Sequence, residues 1–215
     1  MDDIPILMRL NKETRISPQN GHEINIEKLW VSELKRGEKA AFQKLYEEYH
    51  QKIYGTAITM LGNAEDAEDA VQEVFMKIYR KVSYFNSKSK IGTWLYRIAV
   101  NVCIDHVRRN KVRRAKSVSL EESSLFNLTE NGEKADSSVT SGEVNRITKI
   151  AITQLSPKLR TVVVLRDLQG MTHSEIASIL GCSKGTVSSR LTRGRLKLRD
   201  LLVSQGLDKT YFSKI

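Results

Sequence analysis

Met171 to Arg199 reads MTHSEIASILGCSKGTVSSRLTRGRLKLR, and the fold turns on this stretch. Its apolar residues recur at helical spacing, with Ile176, Ala177 and Leu180 in one segment and Val187 and Leu191 in the next. Between the segments stand Gly181, which accepts a left-handed backbone, and Ser183, a good helix N-cap. Thr172 with Glu175 predicts a capping box at the front of the first segment. Two helices joined by a tight turn, with small Ala177 at their approach and Val187 filling the angle, make a helix-turn-helix. From Ser183 through Arg199 there are six basic residues (Lys184, Arg190, Arg193, Arg195, Lys197, Arg199) and no acid. The N-terminal end of the second helix in such a motif enters the major groove. Lys184, Thr186, Ser188, Ser189 and Arg190 are therefore the candidates for base edges and nearby phosphates, and Arg193 and Lys197 for phosphates. The competing reading is a solvated basic face on a helix that packs elsewhere.

Working outward, only Pro5, Pro18 and Pro157 interrupt the 215-residue chain, and apolar residues keep helical rather than alternating spacing. The predicted fold class is all-α, with helices near 37–61, 64–82, 92–114, 145–154, 157–168, 172–180 and 183–204. Ser156 before Pro157 predicts an N-cap followed by a first-turn proline, and Thr93 after Gly92 predicts the opening of the helix that carries Trp94. Ser117 to Glu143 differs in composition: seven serines, six acids and the single base Lys134 read as a flexible acidic linker. The expected organisation is an N-terminal extension over 1–34, a helical domain over 35–114, the linker over 115–144 and the helix-turn-helix domain over 145–208. The extension lacks sustained periodicity apart from a short helix near Ile26 to Leu34.

A net charge of +10 and a pI near 9.6 favour a polyanionic partner. No apolar run reaches the roughly 18 residues a bilayer span needs, and Met1, Asp2 and Asp3 lack the basic flank of a secretion signal, so a cytoplasmic protein is expected. Cys103 and Cys182 fall in different predicted domains, which leaves no disulfide framework. Cys103 and His106 are half of a metal-site spacing without a second half, and Cys103 reads as core. No Gly-rich phosphate loop, paired metal ligands or nucleophile with a base is present. No catalytic residue, metal or cofactor is expected.

In the first domain, Ala67, Val71, Val74, Phe75 and Ile78 form one side of an amphipathic helix, while Asp66, Asp69, Gln72 and Glu73 share a sector of about 120° on the other. Such an acidic patch repels DNA and suits a basic protein partner; an ordinary solvated face with acids favoured by the helix dipole fits it equally well. A later helix carries Leu95, Ile98, Ala99 and Val102 on one face. Opposite runs a narrow stripe of Arg97, Asn101, Asp105 and Arg108 that leads into Arg109, Lys111, Arg113, Arg114 and Lys116. The connection Tyr84-Phe85-Asn86-Ser87-Lys88-Ser89-Lys90 combines aromatics, an amide, hydroxyls and cations, a mixture suited to an unstacked single-stranded base. Tyr84, Phe85 and Trp94 fit core packing as well as stacking.

DAEDAVQEVFMKIYRK (Asp66 to Lys81), IGTWLYRIAVNVCIDHVRR (Ile91 to Arg109) and the helix-turn-helix together resemble the sigma-70 family of bacterial transcription initiation factors, most closely its extracytoplasmic-function group. The resemblance covers about three quarters of the chain in the family's order and spacing. It implies a first domain (sigma region 2) that engages the promoter −10 element and a second (region 4) that engages the −35 element, without a domain between them. It implies that Asp66, Asp69, Gln72 and Glu73 hold the clamp coiled coil of the polymerase large subunit. It places Asn86, Ser87, Lys88, Lys90, Trp94, Arg97, Asn101, Asp105, Arg108 and Arg109 at melted −10 DNA. Ser183, Lys184, Thr186, Ser188, Ser189, Arg190, Arg193 and Lys197 fall at duplex −35 DNA, with region 4 on the polymerase flap. The acidic linker matches the family segment threaded toward the RNA exit path. Many members are held inactive by an anti-sigma partner, which this sequence does not identify; no stable homo-oligomer is expected. Two other readings remain at this point: a free-standing helix-turn-helix regulator that binds duplex DNA by itself, and a basic helical adaptor that binds protein only.

Overall fold

The computed structural model describes residues 23–117 and 141–207, with side chains described over 28–113 and 144–207. Among the described residues all regular structure is helical. The order is α1 (Glu23–Lys35), α2 (Lys39–Leu61), α3 (Ala64–Lys81), a 3-10 turn (Val82–Tyr84), α4 (Ile91–Ser117), α5 (Ser141–Gln154), α6 (Pro157–Val163) running into a π-turn (Val164–Leu168), α7 (His173–Leu180) and α8 (Lys184–Ser204). The central part of the acidic linker, 118–140, and residues 1–22 lie outside the described residues.

Helices α2, α3 and α4 form the first domain. Leu45, Ile53, Met60, Ala67, Val74, Ile78, Leu95 and Ala99 close its core at i, i+3 or i+4 intervals along each helix. Two helix ends are set by local chemistry. Gly62 ends α2 at φ +88°, and Asn63 caps α3 by accepting from the Asp66 amide at 2.7 Å. Where the sequence predicts only a short helix, α1 is thirteen residues long. It buries Trp30, Val31 and Leu34 against α2, and the Trp30 indole donates to the Ala41 carbonyl at 3.1 Å. A weakly periodic segment is thus held by tertiary packing of one apolar edge. The first helix of the Trp94 stretch opens at Ile91 rather than Thr93, because buried Ile91 anchors the preceding turn; Thr93 is interior. Ser156 stands at the N-cap before Pro157, but its side chain makes no capping bond.

In the second domain the capping box of Thr172 and Glu175 is complete. Gly181 turns the chain at φ +61°, its amide donating to the Ala177 carbonyl, and the Ser183 hydroxyl accepts from the Thr186 amide at 3.1 Å. Val187 is fully buried between α7 and α8. Gly194 lets α8 come close to α6: a Cβ there would lie 2.8 Å from Val163 Cγ2. Arg195 grips buried Asp167 through two guanidinium nitrogens and so fastens α8 to the π-turn.

The two domains meet along a seam in which polar ties sit among apolar contacts. Tyr96 Oη of α4 donates to Gln169 Oε1 at 2.7 Å. Arg97 donates to the Ser178 carbonyl and, at 3.1 Å, approaches Ser178 Oγ on α7. Arg160 reaches the Met60 carbonyl at the end of α2 and the Thr153 and Leu155 carbonyls at the end of α5, so one guanidinium satisfies orphan acceptors of two helix C-termini. Its Nε is buried without a partner, and burial lowers its pKa.

Candidate nucleic-acid and polymerase interfaces

Three surfaces bring the predicted residues together. The first lies on α8. Lys184, Ser188, Ser189, Arg193 and Lys197 are exposed, while Thr186 and Arg190 are half-buried. The Ser183 cap, with its hydroxyl 2.9 Å from Thr186 Oγ1, fixes the first turn. Arg193 Nε donates back to the Ser189 carbonyl at 3.1 Å. The face is therefore preorganised from its N-cap through two turns. Of the six cations in the motif, Arg195 turns inward to Asp167 and Arg199 approaches its neighbour Asp200 at 3.2 Å.

The second surface is the loop before α4. Phe85 is buried with its ring centroid 5.3 Å from that of half-buried Trp94, so these two aromatics support the loop from below. Asn86 Oδ1 accepts from the Lys88 amide at 3.2 Å, and Ser87 between them holds φ +55°. A left-handed serine is uncommon, and the Asn86 side chain bonded to the Lys88 amide closes the turn around it. Asn86, Ser87, Lys88 and Lys90 are exposed above the aromatic pair. Along α4, Arg97, Asn101, Asp105, Arg108 and Arg109 continue as one exposed stripe. Arg108 leans on Asp105 at 3.6 Å, and Arg97 is held by Ser178.

The third surface is α3, where the sequence patch separates. Asp69 and Gln72 are exposed. Glu73 instead faces α4: its carboxylate takes Lys77 Nζ at 2.7 Å, His106 Nε2 at 3.1 Å and Arg109 at 3.1 Å. Those partners, Lys77 first, hold it well below the usual range, at about 2, against the opposing effect of its partial burial. Asp66 accepts from Asn63 at 2.6 Å and from Asn110 at 2.7 Å. His106 is thus a hydrogen-bond partner of Glu73, and burial pushes the Cys103 thiol up to about 12, an inert core position. Among the described residues no cluster suits a metal ion.

Sequence reasoning missed what lies beside Gln72. Phe42 and Tyr46 of α2 and Met76 and Tyr79 of α3 line an open apolar groove that also takes in Gln72 and Arg80. Met76 is 50% and Tyr79 65% exposed. The available signal was the pair Met76 and Tyr79 at i and i+3, large apolar side chains off the core stripe.

A small helical domain with an exposed polar loop and stripe, joined to a basic helix-turn-helix, defines a two-domain helical DNA reader. The sigma-70 region 2 model matches residues 45–113, and the sigma-70 region 4 model matches 151–198. The ECF RNA polymerase sigma factor SigW of Bacillus subtilis is 35% identical over 176 residues, 80% of this chain and 94% of SigW. The RNA polymerase sigma-H factor of Pseudomonas aeruginosa is 34% identical, over 77% of this chain and 88% of its own. In structure, the chain is similar to the sigma factor RpoE in complex with the anti-sigma factor NepR from Bartonella quintana. The TM-score there is 0.60 at 25% identity, over 75% of this chain and 96% of that one. This chain belongs to the extracytoplasmic-function group of the sigma-70 family. Its function is promoter-directed initiation of transcription with RNA polymerase. Sigma factors as a kind are non-catalytic. No helix among the described residues is long and apolar enough to cross a membrane.

Proposed function

We propose that this chain works without an active site of its own, in the cytoplasm, by dividing promoter recognition among its three surfaces. On α8, Lys184, Ser188, Ser189 and Arg190 read the −35 duplex, with Ser183 and Thr186 holding the first turn and Arg193 and Lys197 on phosphates. The loop Asn86–Lys90 takes an unpaired −10 base, with Trp94 beneath it, and Arg97, Asn101, Asp105, Arg108 and Arg109 follow the melted strand. Asp69 and Gln72, with the groove of Tyr46, Met76 and Tyr79, take the basic, apolar coiled coil of the polymerase clamp. In this reading Asp66 and Glu73 brace α3 against α4 rather than touch the partner directly. Region 4 rests on the flap, an anti-sigma factor is the inhibitory partner, and the domain limits follow 35–114 and 145–208.

The observation that carries the reading is the exposed Asn86–Lys90 turn, with left-handed Ser87, next to the Phe85–Trp94 pair and at the head of the polar stripe. Run-off transcription with purified core polymerase on promoter fragments tests it. The full chain should yield a discrete product that core alone does not. Asp69→Lys with Gln72→Lys should remove that product by abolishing association with core, while thermal unfolding stays unchanged. Unchanged association would move the clamp contact elsewhere. Lysine at 73 is avoided because it would face Lys77, His106 and Arg109 and unfold the seam between α3 and α4.

A further inference from the structure

Tyr84 is the most exposed large hydrophobic side chain among the described residues, at 84%. Surface apolar residues scattered singly need no explanation, so exposure alone decides nothing. Its setting does. The other two exposed tyrosines each rest on a ring: Tyr46 lies 4.7 Å from Phe75, and Tyr79 meets Phe42 edge-on at 5.3 Å. Tyr84 makes no ring contact or hydrogen bond with the described residues. Its backbone is also anchored. The 3-10 turn that carries it is pinned on both sides by buried Val82 and Phe85, and the Phe85 amide donates to the Val82 carbonyl at 3.1 Å. With Val82 and Phe85 turned inward, Tyr84 stands beside exposed Ser83 on the solvent side of the turn. Two residues later the chain enters the turn of Asn86, left-handed Ser87 and Lys88.

We infer that Tyr84 is a stacking platform for an unpaired base of the strand held by the Asn86–Lys90 loop. This rests on the proposed −10 role of that loop and adds a residue to it. A tyrosine suits the task. It offers a flat face to any base, loses only two torsions on ordering, and here stands on a turn fixed before DNA arrives, so little ordering remains when the base docks. Lys88 and Lys90 are exposed on the same short connection and supply phosphate contacts to the nucleotide that stacks. The ring is sequence-tolerant, whereas Asn86 offers an amide for an edge. Tyr84 thus holds a neighbouring base in the open strand while the loop selects its own.

The test uses holoenzyme assembled from the full chain and core polymerase, on a promoter that it transcribes. The probe is a fork-junction DNA, duplex upstream and single-stranded through the −10 segment, with 2-aminopurine at each unpaired position in turn. Tyr84→Ala should weaken fork-junction binding by roughly five- to a hundredfold, the range set by alanine substitution of stacking aromatics. It should also restore fluorescence that the wild-type protein quenches at one position, and leave binding to a duplex that ends upstream of the −10 segment as it was. Tyr84→Phe, which keeps the ring, should behave as wild type; Tyr84→Leu should resemble alanine. If Tyr84→Phe loses as much as Tyr84→Ala, the hydroxyl acts and stacking is overturned. If Tyr84→Ala is silent while Asn86→Ala weakens the fork junction, the −10 reading stands and Tyr84 is a bystander. If both are silent, the −10 reading fails and the proposal with it. Thermal unfolding of each variant, expected unchanged for so exposed a side chain, excludes misfolding.

Discussion

Gly194 shows how much one hydrogen can decide. It lies in α8 between Arg193 and Arg195, and in the sequence it reads as a weak point in a basic helix, since glycine costs about 1 kcal/mol against alanine there. The fold uses it otherwise. A Cβ would meet Val163 Cγ2 at 2.8 Å, and the next nearest atoms, the Leu159 carbonyl at 3.5 Å and Leu159 Cβ at 3.7 Å, leave little room to slide. Valine is stiff about its first torsion, so the clash has to be relieved by moving α6 from α8. Overpacking of this kind costs about 1–3 kcal/mol, which exceeds the helix-propensity gain. Gly194→Ala should therefore lower the urea midpoint of unfolding despite being the better helix former. A midpoint equal to or above that of the parent would show that α6 and α8 adjust freely.

At the scale of one element, α3 has three faces where the sequence shows two. The core face was legible: Ala67, Val71, Val74, Phe75 and Ile78, spaced at helical intervals, are all buried. The helix-turn-helix was legible for the same reason, since capping box, glycine turn and N-cap are local chemistry. The polar half of α3 was not, because a helical wheel gives angles and not neighbours. Glu73 finds its partners at His106 and Arg109, more than thirty residues downstream, and only the α3–α4 packing brings them within 3.1 Å. The groove side was hidden likewise, because Met76 and Tyr79 become a surface only when α2 adds Phe42 and Tyr46. The Glu73 brace has a pH signature. Its folded value, about 2, lies below its ordinary 4.5, so its contribution is fully present above about 4.5 and is lost as pH falls from there through 2. Glu73→Gln should be less stable than the parent near neutrality, and the gap should close in acid. Urea unfolding of both proteins at neutral pH and again below pH 4.5 checks this. A gap of constant size would mean that the carboxylate charge contributes nothing.

For the whole molecule, a side chain claimed twice links the two domains. Arg97 stands in the stripe proposed to follow the melted strand, yet here its guanidinium is held by the Ser178 carbonyl of α7. Its Nη1 and Nε remain as donors for a phosphate, but Nη2 ties the side chain to α7, so a strand that draws the whole guanidinium onto its backbone competes with the second domain for it. The polar ties it would break are the Arg97–Ser178 contact, the Tyr96–Gln169 bond and Arg160 spanning two helix ends, set among apolar contacts that continue the core from one domain into the other. A hydrogen bond to a charged group contributes about 1.5–3 kcal/mol net, and a neutral one about 0.5–1.5. Removing either the Arg97 or the Gln169 tie should thus raise the separated fraction several-fold to about a hundredfold. Arg97→Ala and Gln169→Ala should each enlarge the radius of gyration of the free full chain in small-angle scattering, with helix content unchanged. Arg160→Ala should do so too, with some loss of stability at the ends of α2 and α5. Addition of a single-stranded −10 oligonucleotide should expand the parent chain toward the same dimension and have less effect on Arg97→Ala, which lacks the group being exchanged. Identical scattering from parent and variants, with and without the strand, would mean that the seam is held by the apolar contacts around these bonds and that Arg97 does not couple the two domains.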